Sequence, residues 1–167
     1  SRLGVAEPVS RVKDGACQVP SPWQIHEIAN VKFNQPATMT CGMASPLDTW
    51  IQDSVQPSAQ RIFGESIVGF EVAASYACRP RNNKRGAKMS EHGFGNAIDI
   101  SAFTLESGRE VKVLQGWNGR GDERKFLRQV RADACGPFMT VLGPGSDANH
   151  RDHFHLDLQN RRSGSRY

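Results

Sequence analysis

No stretch of this 167-residue chain approaches the roughly 20 consecutive apolar positions of a membrane-spanning helix, so no membrane span is expected. The sequence contains no His-Glu-x-x-His, which excludes the common zinc-protease helix. Its four cysteines, Cys17, Cys41, Cys78 and Cys135, lack C-x-x-C spacing, which excludes a structural zinc site built on paired cysteines. Repeats, low-complexity tracts and linkers are also missing, and aromatic and branched residues are too plentiful for disorder. No secretory signal is visible, but such segments are removed on export, so the compartment stays open on that count.

What remains bounds one domain. A chain of 167 residues with 38% hydrophobic content buries roughly 70% of its unfolded surface. The expected domain covers residues 1–167, with a core over about 15–160 and a flexible basic tail over 161–167. An even cysteine count without metal spacing favours two disulfides and an oxidising compartment. Of the three possible connectivities, Cys17–Cys41 with Cys78–Cys135 is the expected one, against the alternative of buried free thiols. The net charge of +4 points to an anionic partner. The basic residues form short runs at 79–85, 120–131 and 161–166 that read as solvated faces, so nucleic acid is not the expected partner.

Four of the five histidines lie in two segments, Ser90-Glu-His92-Gly-Phe-Gly95-Asn-Ala97-Ile-Asp99 and His150-Arg-Asp152-His153-Phe-His155-Leu-Asp157. In an extended strand, residues two apart share a face. His153, His155 and Asp157 then point one way, and Phe154, Leu156 and Leu158 the other. The first segment ends with the same alternation, Ala97, Asp99 and Ser101 opposite Ile98 and Ile100. Asp99 and His155 can therefore face one cleft, which His92 reaches through a turn permitted by Gly93 and Gly95. Imidazole and carboxylate ligands from two distant segments suit a catalytic zinc, because three protein ligands leave a tetrahedral position for water. His150 and His153 are further ligands, supports or catalytic groups, with catalysis preferred. His26, in a Trp- and Ile-containing stretch outside both segments, reads as structural.

The expected architecture is an α+β domain with helices packed on a mainly antiparallel sheet and the zinc site on the sheet face. The N-terminal third, rich in Pro and turn residues, reads as irregular. A helix is expected from about Ser45, with Ser-Pro as N-cap and first-turn proline and with Leu47, Trp50, Ile51 and Val55 on its core face, interrupted or ended by Pro57. Strands are expected at 67–74, at 97–103 with a hairpin partner at 111–114, and from His153, where the strand closes the sheet. Residues 79–88 read as a basic loop. A second helix, capped by Asp122 and running to Cys135, carries Phe126, Leu127, Val130 and Ala134 inward.

Ser90-x-His92-x-x-Gly95-x-Ala97-x-Asp99 followed by His153-x-His155 resembles the signature of the zinc peptidases that group lysostaphin, D-alanyl-D-alanine peptidases and the hedgehog signalling domain. Within that group the chain is most similar to the bacterial extensin-like C-terminal domain family, over about residues 15–160. The similarity runs through Tyr76-x-Cys78-Arg79, Phe126-Leu127-Arg128, Ala134-Cys135, Val141-Leu142-Gly143-Pro144 and His150-x-Asp152-His153-Phe154-His155-x-Asp157. The resemblance implies hydrolysis of peptidoglycan peptides, with His92, Asp99 and His155 as zinc ligands. It implies His150 or Asp152 as general base, His150 being favoured because His-x-x-His-x-His is similar to the murein endopeptidase branch. His153 would stabilise the oxyanion and Arg79 would sit near a substrate carbonyl or carboxylate. The glutamate usual in the carboxypeptidase branch is replaced by the shorter Asp152, which favours an endopeptidase over a D,D-carboxypeptidase. A periplasmic or secreted monomer is expected, acting on D,D or L,D crosslinks. The alternative is a binding module that keeps the zinc without catalysis.

Overall fold

Ten strands and four α-helices make up the computed structural model, which describes residues 4–159. The expected flexible tail at 161–167 lies outside the described residues. The first five strands are β1 (Gly4–Pro8), β2 (Val12–Asp14), β3 (Cys17–Val19), β4 (Trp23–Ile28) and β5 (Val31–Met39). Then come α1 (Cys41–Trp50), a π-helical turn (Ile51–Val55), α2 (Gln56–Phe63), β6 (Ile67–Ala74), β7 (Ala97–Leu105), β8 (Glu110–Lys112) and α3 (Val113–Gly116). The chain ends in α4 (Asp122–Ala134), β9 (Thr140–Leu142) and β10 (Phe154–Asp157). The main sheet runs β1-β4-β5-β6-β7-β10-β9, with β8 also on β7, and β2–β3 form a separate hairpin. Every pairing is antiparallel except β5 with β6, so the fold is α+β with a mainly antiparallel sheet, as expected.

The N-terminal third is not irregular but contributes five strands. Its prolines act as punctuation. Pro36 sits where the β4–β5 ladder skips between Ile25↔Ala37 and Glu27↔Lys32, so its missing N–H is not needed there. The β4–β5 connection is a two-residue turn through Ala29 and Asn30, both left-handed (φ 49° and 65°), a turn type that Ala-Asn announces far less clearly than Asn-Gly would.

The first long helix begins at Cys41, four residues before the expected Ser45. Thr40 is the true cap, its hydroxyl accepting from the Met43 amide at 3.2 Å. Pro46 lies inside, where the carbonyl it leaves without a donor belongs to exposed Gly42. Pro57 does interrupt the helix without ending it. Its missing N–H falls in a wider π turn, marked by the Gln56 amide bonding the Ile51 carbonyl, and α2 then continues to Gly64 (φ 70°). Helix α4 matches its expected span and buried stripe, but Gly121 occupies the cap position and Asp122 lies in the first turn. The partner strand of β7 is β8, shorter than expected because Val113 already starts α3.

The helices cover one face of the sheet. Trp50 packs its ring among Phe70, Phe103 and Phe138, and its indole donates to the Val130 carbonyl of α4 at 2.8 Å. Ile98, Ile100, Phe154 and Leu156 line the same core from β7 and β10. A bulge at Ser101, where Glu71↔Ala102 is followed by Val72↔Ile100, then shifts the alternation so that Phe103 and Leu105 join it. Strand β10 does not close the sheet: β9 pairs outside it and takes the edge. Flanked by β7 and β9, β10 is buried along its whole length. Among the described residues no helix is long and apolar enough to cross a membrane.

Residues 79–88 form the expected loop, with only a short 3-10 turn at Arg81–Asn83 and a Pro80↔Met89 bridge. The expected disulfides are not formed. The structure instead joins Cys17 to Cys78, with Cα atoms 5.8 Å apart, and leaves Cys41 and Cys135 without a disulfide. Strand β3 packs against the 3-10 turn Glu91–Phe94, which carries Cys17 over that turn to the chain preceding Arg79. Cys41 faces solvent at the start of α1, and Cys135 caps the end of α4.

Candidate metal centre

The sheet face opposite the helices carries the titratable cluster. In the β7–β10 ladder His155 pairs directly with Asp99, so the two side chains emerge side by side on one face. His92 arrives from the turn Glu91–Phe94, capped by the Ser90 hydroxyl and ended by Gly95 in the left-handed region (φ 67°). Two close approaches fix that turn. A Cβ on Gly93 would lie 2.6 Å from the Cys17 sulfur, and one on Gly95 would lie 2.9 Å from a Val19 methyl. The segment flanking Cys78 holds the other side. The Ala77 amide donates to the His92 carbonyl, and the Ser90 amide donates to that of Arg79.

Hydrogen-bond acceptors decide which nitrogen of each ring carries a proton. The Nδ1–H of His92 donates to the Ser75 carbonyl at 2.5 Å, so its Nε2 is left with a lone pair. That Nε2 lies 3.1 Å from Asp99 Oδ2 but out of line, so this buried nitrogen has no hydrogen-bond partner among the described residues. Nδ1 of His155 faces Asp99 Oδ1 at 2.9 Å, and Nε2 faces the buried Asp157 carboxylate at 2.6 Å. In both rings one nitrogen is anchored by an acceptor while the other converges on Asp99, the arrangement by which outer groups orient metal-ligating histidines. One donor atom from each of His92, Asp99 and His155 lies within 4.8 Å of the others, and all three residues are buried. The group could hold a metal ion, and the unsatisfied His92 nitrogen is what a cation would satisfy.

The electrostatics agree. Burial alone would raise the Asp99 carboxyl, but the hydrogen bond from His155 Nδ1 and the charge on that ring hold it well below the usual carboxylate range. Burial alone would lower His155, but Asp157 and Asp99 on its two sides push it up to about 9. A cation bound by His155 Nδ1 and Asp99 would compete with the proton that these carboxylates favour on His155.

The other expected residues surround this centre. The ring centroids of His150 and His153 lie 5.1 Å apart with their planes tilted by 53°, and the His150 centroid is 5.7 Å from that of His155. Burial pulls His150 below its ordinary value, partly offset by Asp147, whose Oδ1 accepts from His150 Nδ1 at 2.7 Å. His153 Nε2 is 3.7 Å from Asp99 Oδ2, and its Nδ1 is held by Asp152 at 2.8 Å. A cleft of about 450 Å³ lies over the centre, lined by both histidines, by Asp147 and by Arg79, Arg81, Asn82 and Asn83 of the basic loop. Arg79 thus reaches the cleft. Asp152 does not line it: its carboxylate, 66% exposed, holds His153 from outside. His26 stands apart on β4, beside Glu7 of β1. The groups that sequence reasoning missed are the anchors. Asp157 was readable as a carboxylate two residues from His155 on the same strand face, whereas the Ser75 carbonyl leaves no trace in residue type.

The fold and site define a single α+β domain with a buried His, Asp and His group beneath a polar cleft. The model of the family described as Extensin-like protein C-terminus matches residues 2–167, and the chain belongs to that family. No curated protein and no solved structure matches it.

Proposed function

We propose that this domain is a zinc-dependent peptidoglycan peptidase, an endopeptidase hydrolysing stem-peptide crosslinks outside the cytoplasmic membrane. The observation that carries the reading is the pair His150 and His153, ring centres 5.1 Å apart, lying beside the buried His92, Asp99 and His155 group within one cleft. Two imidazoles and a carboxylate suit zinc, with one coordination position left open. Held there by His92, Asp99 and His155, zinc would supply a Lewis acid and a bound water made far more acidic than bulk water, with a pKa of about 7.

The remaining roles fall to the chain's own groups. His150 is the general base, since its Nδ1 is bound by Asp147 and its Nε2 is the atom left to take a proton from the attacking water. The same nitrogen then returns that proton to the leaving amine. Asp152, committed to His153 and outside the cleft lining, is the weaker candidate. His153, oriented by Asp152, stabilises the oxyanion of the tetrahedral intermediate when protonated at Nε2. Arg79 on the cleft wall holds a substrate carbonyl or carboxylate. The Cys17–Cys78 disulfide fits an oxidising compartment, hence periplasmic or secreted placement.

The test is hydrolysis of purified crosslinked muropeptide dimers, followed by chromatography and mass analysis. His155→Ala should abolish zinc retention and hydrolysis together, whereas His150→Ala should retain zinc and lose about 100-fold or more in turnover. Dimers left intact by the zinc-loaded wild type would favour a zinc-bearing binding module, and release of a terminal D-alanine alone would favour a carboxypeptidase.

A further inference from the structure

We infer that Asp147 is the positioning residue of the reaction, fixing the tautomer and aim of His150; the inference rests on the reading of His150 as the proton acceptor. His150 ends the short 3-10 turn Ala148–His150, and Asp147 caps that turn. Asp147 Oδ1 accepts from the Asn149 amide at 2.8 Å and faces His150 Nδ1 at 2.7 Å. An ionised carboxylate only accepts, so the proton of a neutral His150 must sit on Nδ1 and the lone pair on Nε2. Burial would raise the Asp147 carboxyl, but the bonds from His150 and the Asn149 amide hold it below its ordinary value, which keeps it an acceptor.

The acid is itself held in place. The neighbouring Ser146 hydroxyl accepts from the Gly143 amide at 3.1 Å and from Arg131 Nη2 at 2.9 Å, and the Arg131 guanidinium lies 5.5 Å from the Trp117 ring centre. Helix α4 thus braces the loop that carries Asp147. A carboxylate, an imidazole and a water in the cleft then form a relay in which the acid keeps its charge and the imidazole moves the proton, the division of labour seen where an aspartate orients a catalytic histidine.

Asp147→Asn tests this, because an amide can donate to Nδ1 and so favour the Nε2–H tautomer, which cannot accept a proton. Zinc-loaded protein labelled with 15N-histidine, examined by NMR at pH 8, should show His150 protonated at Nδ1 in the wild type. It should move toward Nε2–H in Asp147→Asn and lose its preference in Asp147→Ala. On crosslinked dimers both variants should lose on the order of 10–100-fold in kcat with little change in KM and full zinc retention, and Asp147→Glu should recover part of the loss. An unchanged His150 tautomer in both variants overturns the pairing even if the enzyme is active. The expected tautomer change in a wild type that cleaves nothing upholds the pairing and overturns the peptidase reading instead.

Discussion

Raising the pH of the metal-free protein should destabilise it in a defined window. Burial opposes a charge on His155, but the Asp157 and Asp99 carboxylates outweigh it and push the group from 6.5 up to about 9. A group whose folded value is raised contributes stability that is fully present below its unfolded value and lost as pH climbs through the folded one, here from about 6.5 to about 9. At about 1.36 kcal/mol per tenfold change in acidity, that rise corresponds to about 3 kcal/mol. The depressed Asp99 carboxyl reflects the same contacts and is not counted again; its own effect lies in acid, where stability falls as pH drops below the usual carboxylate range. Urea unfolding in the presence of a chelator, at intervals from pH 6 to 9.5, reads the effect. With a urea slope of about 1–3 kcal/mol per molar, the midpoint should fall by about 1–3 M across the window. Asp157→Asn, which removes one carboxylate beside His155, should flatten the decline. Zinc should abolish it, because the cation takes the place of the proton between His155 and Asp99. A wild-type midpoint that is constant or rises between pH 6.5 and 9, or a decline of the same size in Asp157→Asn, would refute this account.

Removing the disulfide by Cys17→Ser with Cys78→Ser frees a loop with a sequence separation of 61 and should lower stability by about 4 kcal/mol on the chain-entropy estimate, measured by denaturant unfolding. A loss below about 1 kcal/mol would show that the bridge constrains little. Gly93→Ala sets a methyl 2.6 Å from the Cys17 sulfur and should displace His92, weakening zinc on the order of tenfold in chelator competition. Unchanged affinity would mean that the turn relaxes without moving its histidine.

The alternation of polar and apolar residues in 97–101 and 153–158 was enough to place Asp99 and His155 on one face, and their direct pairing follows from the antiparallel register of β7 and β10. Helix α4 was readable for a similar reason, a strong apolar stripe at helical spacing. The N-terminal strands were hidden because a segment rich in Pro and turn residues reads as irregular, while the fit of Pro36 depends on which ladder positions need an amide and the Ala29-Asn30 turn carries no Gly to announce it. The start of α1 was misplaced because Ser45-Pro46 looks like a helix entrance when Thr40, five residues before, does the capping. The disulfide was illegible because Cys17 and Cys78 meet only when the β2–β3 hairpin folds over the His92 turn. The same alternation in 153–158 set Asp157 on the face of His155, whereas Asp147 resembles any surface acid in sequence and only the fold shows it facing an imidazole nitrogen.

The claim on which all of this depends is that His92, Asp99 and His155 form one metal centre. Elemental analysis of the purified protein, dialysed against trace zinc and then against metal-free buffer, tests it most directly, with His92→Ala and His155→Ala as controls whose folding is checked by circular dichroism. The account predicts one zinc per wild-type chain and none in either folded variant. A wild-type chain that holds no zinc, or variants that hold as much as the wild type, would contradict it.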